Sequence, residues 1–318
     1  MPTLVTFGET MLRLTPPAGQ RLSRVDDLSV HVGGAESNVA VAAAHLGVDA
    51  AWLSLLPATD LGDRIAHALR GEGVDPVVTW TDDGRVGTYY FERGGSPRGS
   101  GVVYDRAGTP IRDATPADLP LDRVRDAATV FTSGITPALS PRVAETTATL
   151  LEDASDAGVT TAFDVNYRAN LWDAADARST LVDLFPSVDV LFVAERDARN
   201  VLGRDGDAEA VARALAADYG FETVVLTRGD DGALALHDGT VSERAAFRTD
   251  TVDPVGSGDA FAGGFLAERL HGGSVPEALA YGAATAALKR TVEGDVALVS
   301  PEEVRALVED GEQTDVER

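Results

Sequence analysis

Between Val130 and Thr227 short apolar runs alternate with longer amphipathic stretches, and this alternation limits the fold more than any other feature of the chain. Strand-like runs at 130–132, 161–164, 188–193 and 223–227 are separated by helical stretches at 141–157, 173–184 and 207–219. Repeated βα units predict a mostly parallel sheet with helices on both faces, an α/β/α three-layer fold. Asp238 and Gly239, between ALALH and TVSER, mark a hairpin, so the sheet should end in antiparallel strands. Helices are expected at 259–270, 276–290 and 301–308. A chain of 318 residues, 44% apolar, can bury such a core.

The first third is less regular. Leu4–Phe7 reads as a buried strand leading into Gly8 and Glu9. Residues 11–32 alternate weakly around Pro16, Pro17 and Gly19, as short strands with a turn do. GGAESNVAVAAAHLG follows: Gly33 and Gly34 permit close backbone approach, and Val39, Ala42, Ala43 and Leu46 recur at helical spacing up to Gly47. A strand at 51–55 and a helix at 60–69 come next. VGTYYFER and SGVVYDR, around GGSPRG, form a hairpin signal. Segments 11–32 and 85–107 therefore read as a small second sheet inserted into one domain of residues 1–311, with 312–318 as a disordered tail.

Formal net charge is −24, and Lys289 is the only lysine. Acidity spread along the whole chain suits a hydrated surface in concentrated salt, where screening reduces self-repulsion, and the chain reads as halophilic. It argues against nucleic acid as a partner. With no cysteine there is neither a disulfide nor a thiolate metal site, and the five histidines show no paired ligand spacing. No apolar run is long enough to cross a membrane, and MPTLVTFGET has no basic leader, so a cytoplasmic location is expected.

The chemistry gathers at TDTVDPVGSGDAFAGGF. A glycine-rich turn running into a small-residue helix leaves first-turn N–H groups unpaired, and an anion can sit there. Asp259 beside such a hole would repel the anion unless its task is to take a proton from a nucleophile, which suggests phosphoryl transfer to a hydroxyl. An aspartate merely capping the helix is the competing reading. GxxxxGK[ST] is absent, and GET rather than GxGxxG follows the first strand, against a P-loop or a nicotinamide cofactor. Past the ends of strands fall Gly8 with Glu9, Asp164 with Asn166 and Arg168, Glu195 with Asp197, and Thr227 with Arg228; one crevice can gather them. Arg168 in FDVNYRANLW and Arg106 in YDR, near Tyr89, Tyr90 and Tyr104, suit a carboxylate or phosphate. Both arginines could equally balance an acidic surface.

GGAESNVAVAAAHLG together with DPVGSGDAFAGGF resembles the ribokinase-like (PfkB) carbohydrate kinases over essentially the whole chain. The resemblance implies a large α/β domain with a small β-sheet lid over the sugar site. It makes Asp259 the base, the amides of Gly256, Ser257 and Gly258 the anion hole, and ATP with Mg²⁺ the phosphoryl donor. Within the family, Gly34, Asn38, Tyr89, Tyr104, Arg106 and Arg168 are similar to the matching residues of 2-keto-3-deoxygluconate kinases. Gly34 and Asn38 would contact substrate hydroxyls and the two arginines its carboxylate, and the resemblance implies phosphorylation of 2-keto-3-deoxygluconate at its terminal hydroxyl to give the 6-phosphate. Thr227, Arg228 and Gly229, with Gly256 and Gly258, would contact the nucleotide, and residues 284–288 would line the adenine.

Two positions depart from the family pattern. Ala194 stands where an asparagine would open an NxxE motif, which leaves Glu195 and Asp197 as weak metal candidates. Pro254 follows Asp253 where threonine is more usual. A monovalent-cation requirement, the gluconate or galactonate epimer and the order of a homo-oligomer formed through the lid stay open. A ribokinase, fructokinase or phosphofructokinase of the same fold is the nearest rival, and a non-catalytic sugar or nucleotide sensor a further one.

Overall fold

The structure, a computed structural model, describes residues 3–95 and 97–310. In chain order the elements are β1 (Leu4–Phe7), β2 (Met11–Thr15), β3 (Ser29–Gly33), α1 (Ala35–His45), β4 (Ala50–Pro57), α2 (Asp60–Gly71), β5 (Asp75–Thr81), β6 (Thr88–Glu92) and β7 (Gly101–Asp105). Then come α3 (Leu121–Arg125), β8 (Thr129–Ser133), α4 (Pro141–Asp156), β9 (Thr160–Asp164), α5 (Ala174–Leu184), β10 (Val190–Ala194), α6 (Glu195–Asn200) and α7 (Ala208–Tyr219). The chain continues with β11 (Thr223–Thr227), β12 (Ala233–His237), β13 (Thr240–Arg244), α8 (Ser257–Leu270), α9 (Val275–Arg290) and α10 (Pro301–Asp310).

The described residues form a nine-stranded sheet in the order β13-β12-β11-β10-β9-β8-β1-β4-β5 and a separate four-stranded sheet, β3-β2-β6-β7. The large sheet is parallel from β11 to β5 and ends in the expected antiparallel β12 and β13. Its strands are apolar on both faces because both faces are covered. Leu4, Phe131 and Phe192 pack on the side of α1, α8 and α9, while Val5, Val130 and Leu191 pack on the side of α4, α5 and α7. In the small sheet, β2 pairs parallel with β6 and antiparallel with β3, and β6 pairs antiparallel with β7. Among the described residues no helix is long and apolar enough to cross a membrane.

The sequence reading misses three elements. β5 carries Pro76, which removes a ladder donor and reads as a break; it survives because β5 is the sheet's edge. α3 and α6 have five and six residues, too few to show a period. α8 begins at Ser257, two residues before the expected start. The tail from Glu312 lies outside the described residues.

The main sheet reverses its winding between β1 and β8, and a crevice opens there at the carboxyl ends of the strands. Three helices begin at it. Thr59, Ser140, Asp173, Asp207 and Ser274 cap α2, α4, α5, α7 and α9 with side-chain oxygens. By contrast α1, α6 and α8 start at Gly34, Ala194 and Gly256 with no side-chain cap. Residues of these three helix starts line the crevice, and no side chain caps their first-turn N–H groups.

Candidate active site

Asp259, in the first turn of α8, stands where two clefts meet. It reaches this place because α8 is built from small residues. A Cβ at Gly263 would strike the Ala42 side chain, so glycine there lets α1 lie close against α8. The close approach brings Asn38 of α1 to Asp259, with Nδ2 donating to Oδ2 at 2.7 Å. Gly256 adopts φ +79°, the left-handed region that favours glycine, and a Cβ there would also collide with the Asp295 carbonyl. Ser257 N–H turns to the Pro254 carbonyl at 3.3 Å, so of the three expected anion-hole amides it is the one already engaged.

The first cleft, about 430 Å³, lies between the small sheet and the main one. Gly34, Asn38, Tyr89, Tyr104, Arg106, Arg168 and Asp259 all line it. The sequence had scattered them over 225 positions. Its two arginines differ in state. Arg106 is buried and donates from Nε and Nη2 to Glu9 Oε2, while the Tyr104 ring lies 5.6 Å from its guanidinium carbon. Arg168 donates to the Tyr167 carbonyl at 3.1 Å, and no ion pair among the described residues holds it. Tyr89 is nearly buried and donates to Asp295 Oδ1 at 2.5 Å, so it presents its ring, not a spare hydroxyl donor, to the cleft.

The second cleft, about 450 Å³, is mostly small and apolar: Ala246, Phe247, Phe261, Ala283, Ala286 and Ala287 line it along with Gly229, Gly232 and Gly258. Thr227 borders both clefts. Arg228 does not line it, because its guanidinium pairs with Glu243 at 2.9 Å. Of the stretch expected to line the adenine, Ala286 and Ala287 line this cleft, while Ala284 is fully buried in the core and Leu288 packs against it. Arg196 and Arg290 supply positive charge that the sequence reading did not assign. A helix running among alanines gives no local sign of which face holds a ligand.

Burial dominates the electrostatics. Desolvation pushes the Asp259 carboxyl up to about 6, against the opposing pull of Asn38 and Arg168. Asp164 and Glu36 are pushed to about 7, again by burial first. Glu36 is fully buried, its Oε1 held by Ser133 N–H, Ser133 Oγ and Thr136 Oγ1 at 2.6–3.1 Å. Asp164 Oδ1 caps the N–H of Asn166, which sits at φ +39° in the loop that aims Arg168. An aspartate near 6 beside first-turn amides is suited to accepting a proton at neutral pH.

Of the weak metal candidates, Glu195 is engaged by Arg199 at 3.2 Å. Asp197 lines the first cleft near Arg196. Among the described residues no group of three or more histidines, cysteines or acids is arranged to hold a metal ion.

The chain is similar to known proteins over nearly its whole length. The chain is 57% identical over 309 residues to the 2-dehydro-3-deoxygalactonokinase of Haloferax volcanii, covering 97% of each. It is 32% identical to the 2-dehydro-3-deoxygluconokinase of Thermoproteus tenax, over 97% of this chain and 94% of the other. The crystal structure of 2-dehydro-3-deoxygluconokinase from Thermotoga maritima superposes with a TM-score of 0.91 at 34% identity, over 96% of this chain and 99% of that one. Residues 1–302 match the profile described as pfkB family carbohydrate kinase. The profile match over nearly the whole chain, the relatives at 32% identity or more and the four-stranded sheet beside a nine-stranded one thus place the chain in the PfkB family of carbohydrate kinases.

Proposed function

We propose that the protein transfers the γ-phosphoryl group of ATP to the terminal hydroxyl of a 2-keto-3-deoxy (2-dehydro-3-deoxy) hexonate, giving the 6-phosphate. The observation that carries this reading is Asp259, oriented by Asn38 between a cleft lined with arginines and one lined with alanines. The sugar acid lies in the first cleft, its carboxylate toward Arg168, which no ion pair holds among the described residues; Arg106, held by Glu9, lines the same cleft. Gly34 and Asn38 are placed beside the hydroxyls. The galactonate epimer is favoured over the gluconate epimer of the sequence reading, because the relative that is 57% identical bears the galactonate name.

Asp259 accepts the hydroxyl proton as the sugar oxygen forms its bond to the γ-phosphorus and the bond to the leaving ADP oxygen breaks. The amides of Gly256 and Gly258, joined by that of Ser257 once it leaves the Pro254 carbonyl, receive the charge that develops on the transferred group. The small sheet covers the sugar and keeps water from competing as acceptor. Asp197, a carboxylate in the wall of the first cleft, is the protein group that would help hold Mg²⁺. Mg²⁺ bound in this way would neutralise phosphate charge. Exposed Val30, Val102 and Val103 on the small sheet support a homo-oligomer joined there, which light scattering in high salt would size.

The test is ADP release in high salt with Mg²⁺ and ATP, comparing 2-keto-3-deoxygalactonate, 2-keto-3-deoxygluconate, fructose, fructose phosphates and ribose. Turnover confined to the keto-deoxy acids, faster with the galactonate, is the expected result. A preference for a neutral or phosphorylated sugar would overturn the substrate assignment and leave Asp259 in its role.

A further inference from the structure

Lys289, the only lysine of a chain otherwise furnished with arginine, is fully buried, on the last turn of α9. Burying an ammonium is costly unless the charge is met, so its surroundings should explain it. Its Nζ donates to the Asp253 carbonyl at 3.0 Å. That carbonyl lies three residues before Gly256, where the loop turns into α8. The Asp253 carboxylate is already committed. It accepts from Arg13 at 2.6 Å, pairs with Arg93 at 3.2 Å, and takes the N–H groups of Val255 and Gly294 at 3.1 and 3.3 Å. Arg13 also reaches Asp295 at 3.3 Å, and Asp295 accepts from Tyr89. The Asp295 carbonyl is the atom against which Gly256 packs. Cations from β2, from just past β6 and from α9 therefore converge on the back of the loop whose front carries the anion hole. A compact ammonium on a flexible stem can reach one carbonyl in such a space.

We propose that Lys289 is a positioning residue for phosphoryl transfer: its ammonium fixes the Asp253–Gly258 loop from behind and supplies the positive charge that offsets the buried carboxylates beside Asp259. This rests on the reading of Asp259 as the base. The charged and polar groups around Asp259 are Glu36 and Asn38 from α1, Asp164 at the end of β9, Arg168 in the loop that follows, Asp295 after α9, and Lys289 itself. Asp295 and Lys289 act on Asp259 in opposite senses: Asp295 favours its protonated form and Lys289 its ionised form. Burial pulls the ammonium's own proton affinity down, while Asp253 and Asp295 hold it up.

Opposed signs give a test that simple damage to the fold would not imitate. The variants are Lys289→Met, which keeps the length and removes the charge, Lys289→Arg, and Asp295→Asn. The acid limb of the kcat/KM profile is measured for each with whichever sugar the wild type phosphorylates fastest. A failure of the sugar-acid assignment is then seen in the wild type alone and leaves this test intact. Lys289→Met should lower kcat roughly tenfold or more, with sugar KM changed less than about threefold. Its acid limb should move up by about half to one pH unit, and that of Asp295→Asn should move down. Lys289→Arg should return the limb toward the wild-type position. Limbs that stay in place, or that move the same way in Lys289→Met and Asp295→Asn, would overturn the proposal, as would wild-type kcat in Lys289→Met. Should Lys289→Met fail to fold, the Asp295→Asn and Lys289→Arg limbs decide: a downward shift with retention supports the proposal, and any other pair of results overturns it.

Discussion

The two clefts that meet at Asp259 are nearly equal in volume, about 430 Å³ and about 450 Å³, yet they are built on opposite terms. The cleft proposed for the sugar is specified by side chains: Glu9, Arg106, Asp164, Arg168, Asp197 and Asp295 line it. The cleft proposed for the nucleotide is specified largely by what has been left out, with alanines and glycines leaving room for a flat, apolar occupant. A sugar acid is small and polar, and its recognition requires hydrogen-bonding groups at fixed points. A nucleobase is recognised mainly by a slot of the right width, with backbone groups meeting its phosphates.

The sharpest way to break the comparison is to act where the two sides join. Asp259→Asn should reduce kcat by about 10² to 10⁴, the range for loss of a general base. KM for either substrate should hardly change, and thermal unfolding should be no earlier than in the wild type. Turnover like the wild type's would remove the base. A crossed pair sharpens the contrast. Loss of a charge-assisted contact in Arg168→Ala should raise KM for the acid sugar about 10- to 100-fold while leaving KM for ATP within about twofold. Ala286→Leu, which fills the apolar slot, should do the reverse, raising KM for ATP about tenfold. If each variant raised both constants alike, the division of labour would be wrong.

Much of this division could be read before the fold was known, but unevenly. Gly34, Asn38 and Asp259 stand in short local motifs, and Arg168 follows a strand directly, so the sugar side announces itself. The pairing of Arg106 with Glu9 does not: 97 positions separate them, and each alone looks like a free ligand group. Arg13 meets Asp253 and Asp295 across 240 and 282 positions, which no periodicity could show. The nucleotide side reads in the sequence as Thr227, Arg228, Gly229, Gly256 and Gly258 with residues 284–288, but helical alanines carry no mark of facing. Among the elements, β5 escaped because its proline is tolerated only by virtue of an edge position that the sheet order reveals.

The smallest expected effect lies behind the sugar side. Glu36 is held near 7 by burial, above its ordinary 4.5, so the folded state binds its proton more tightly than the unfolded chain. Its contribution to stability is complete below about 4.5 and is lost as pH rises through about 7. Glu36→Gln should remove that loss. The difference in Tm, variant minus wild type, should therefore grow from pH 4.5 to 7. A constant difference over that window would mean the carboxyl titrates normally.

Arg196, Thr227, Pro254, Ser257 and Gly258 form part of the wall of both clefts. Two ligands that touch the same short strip cannot bind as strangers. Whatever one does to that strip, by ordering it or by shifting it, enters the free energy of the other, and thermodynamic reciprocity makes the exchange equal in both directions. The factor by which bound nucleotide changes the Kd of the sugar must equal the factor by which bound sugar changes the Kd of the nucleotide. The shared wall therefore acts as the enzyme's ledger of occupancy, registering either guest in the affinity shown to the other before any bond is made or broken.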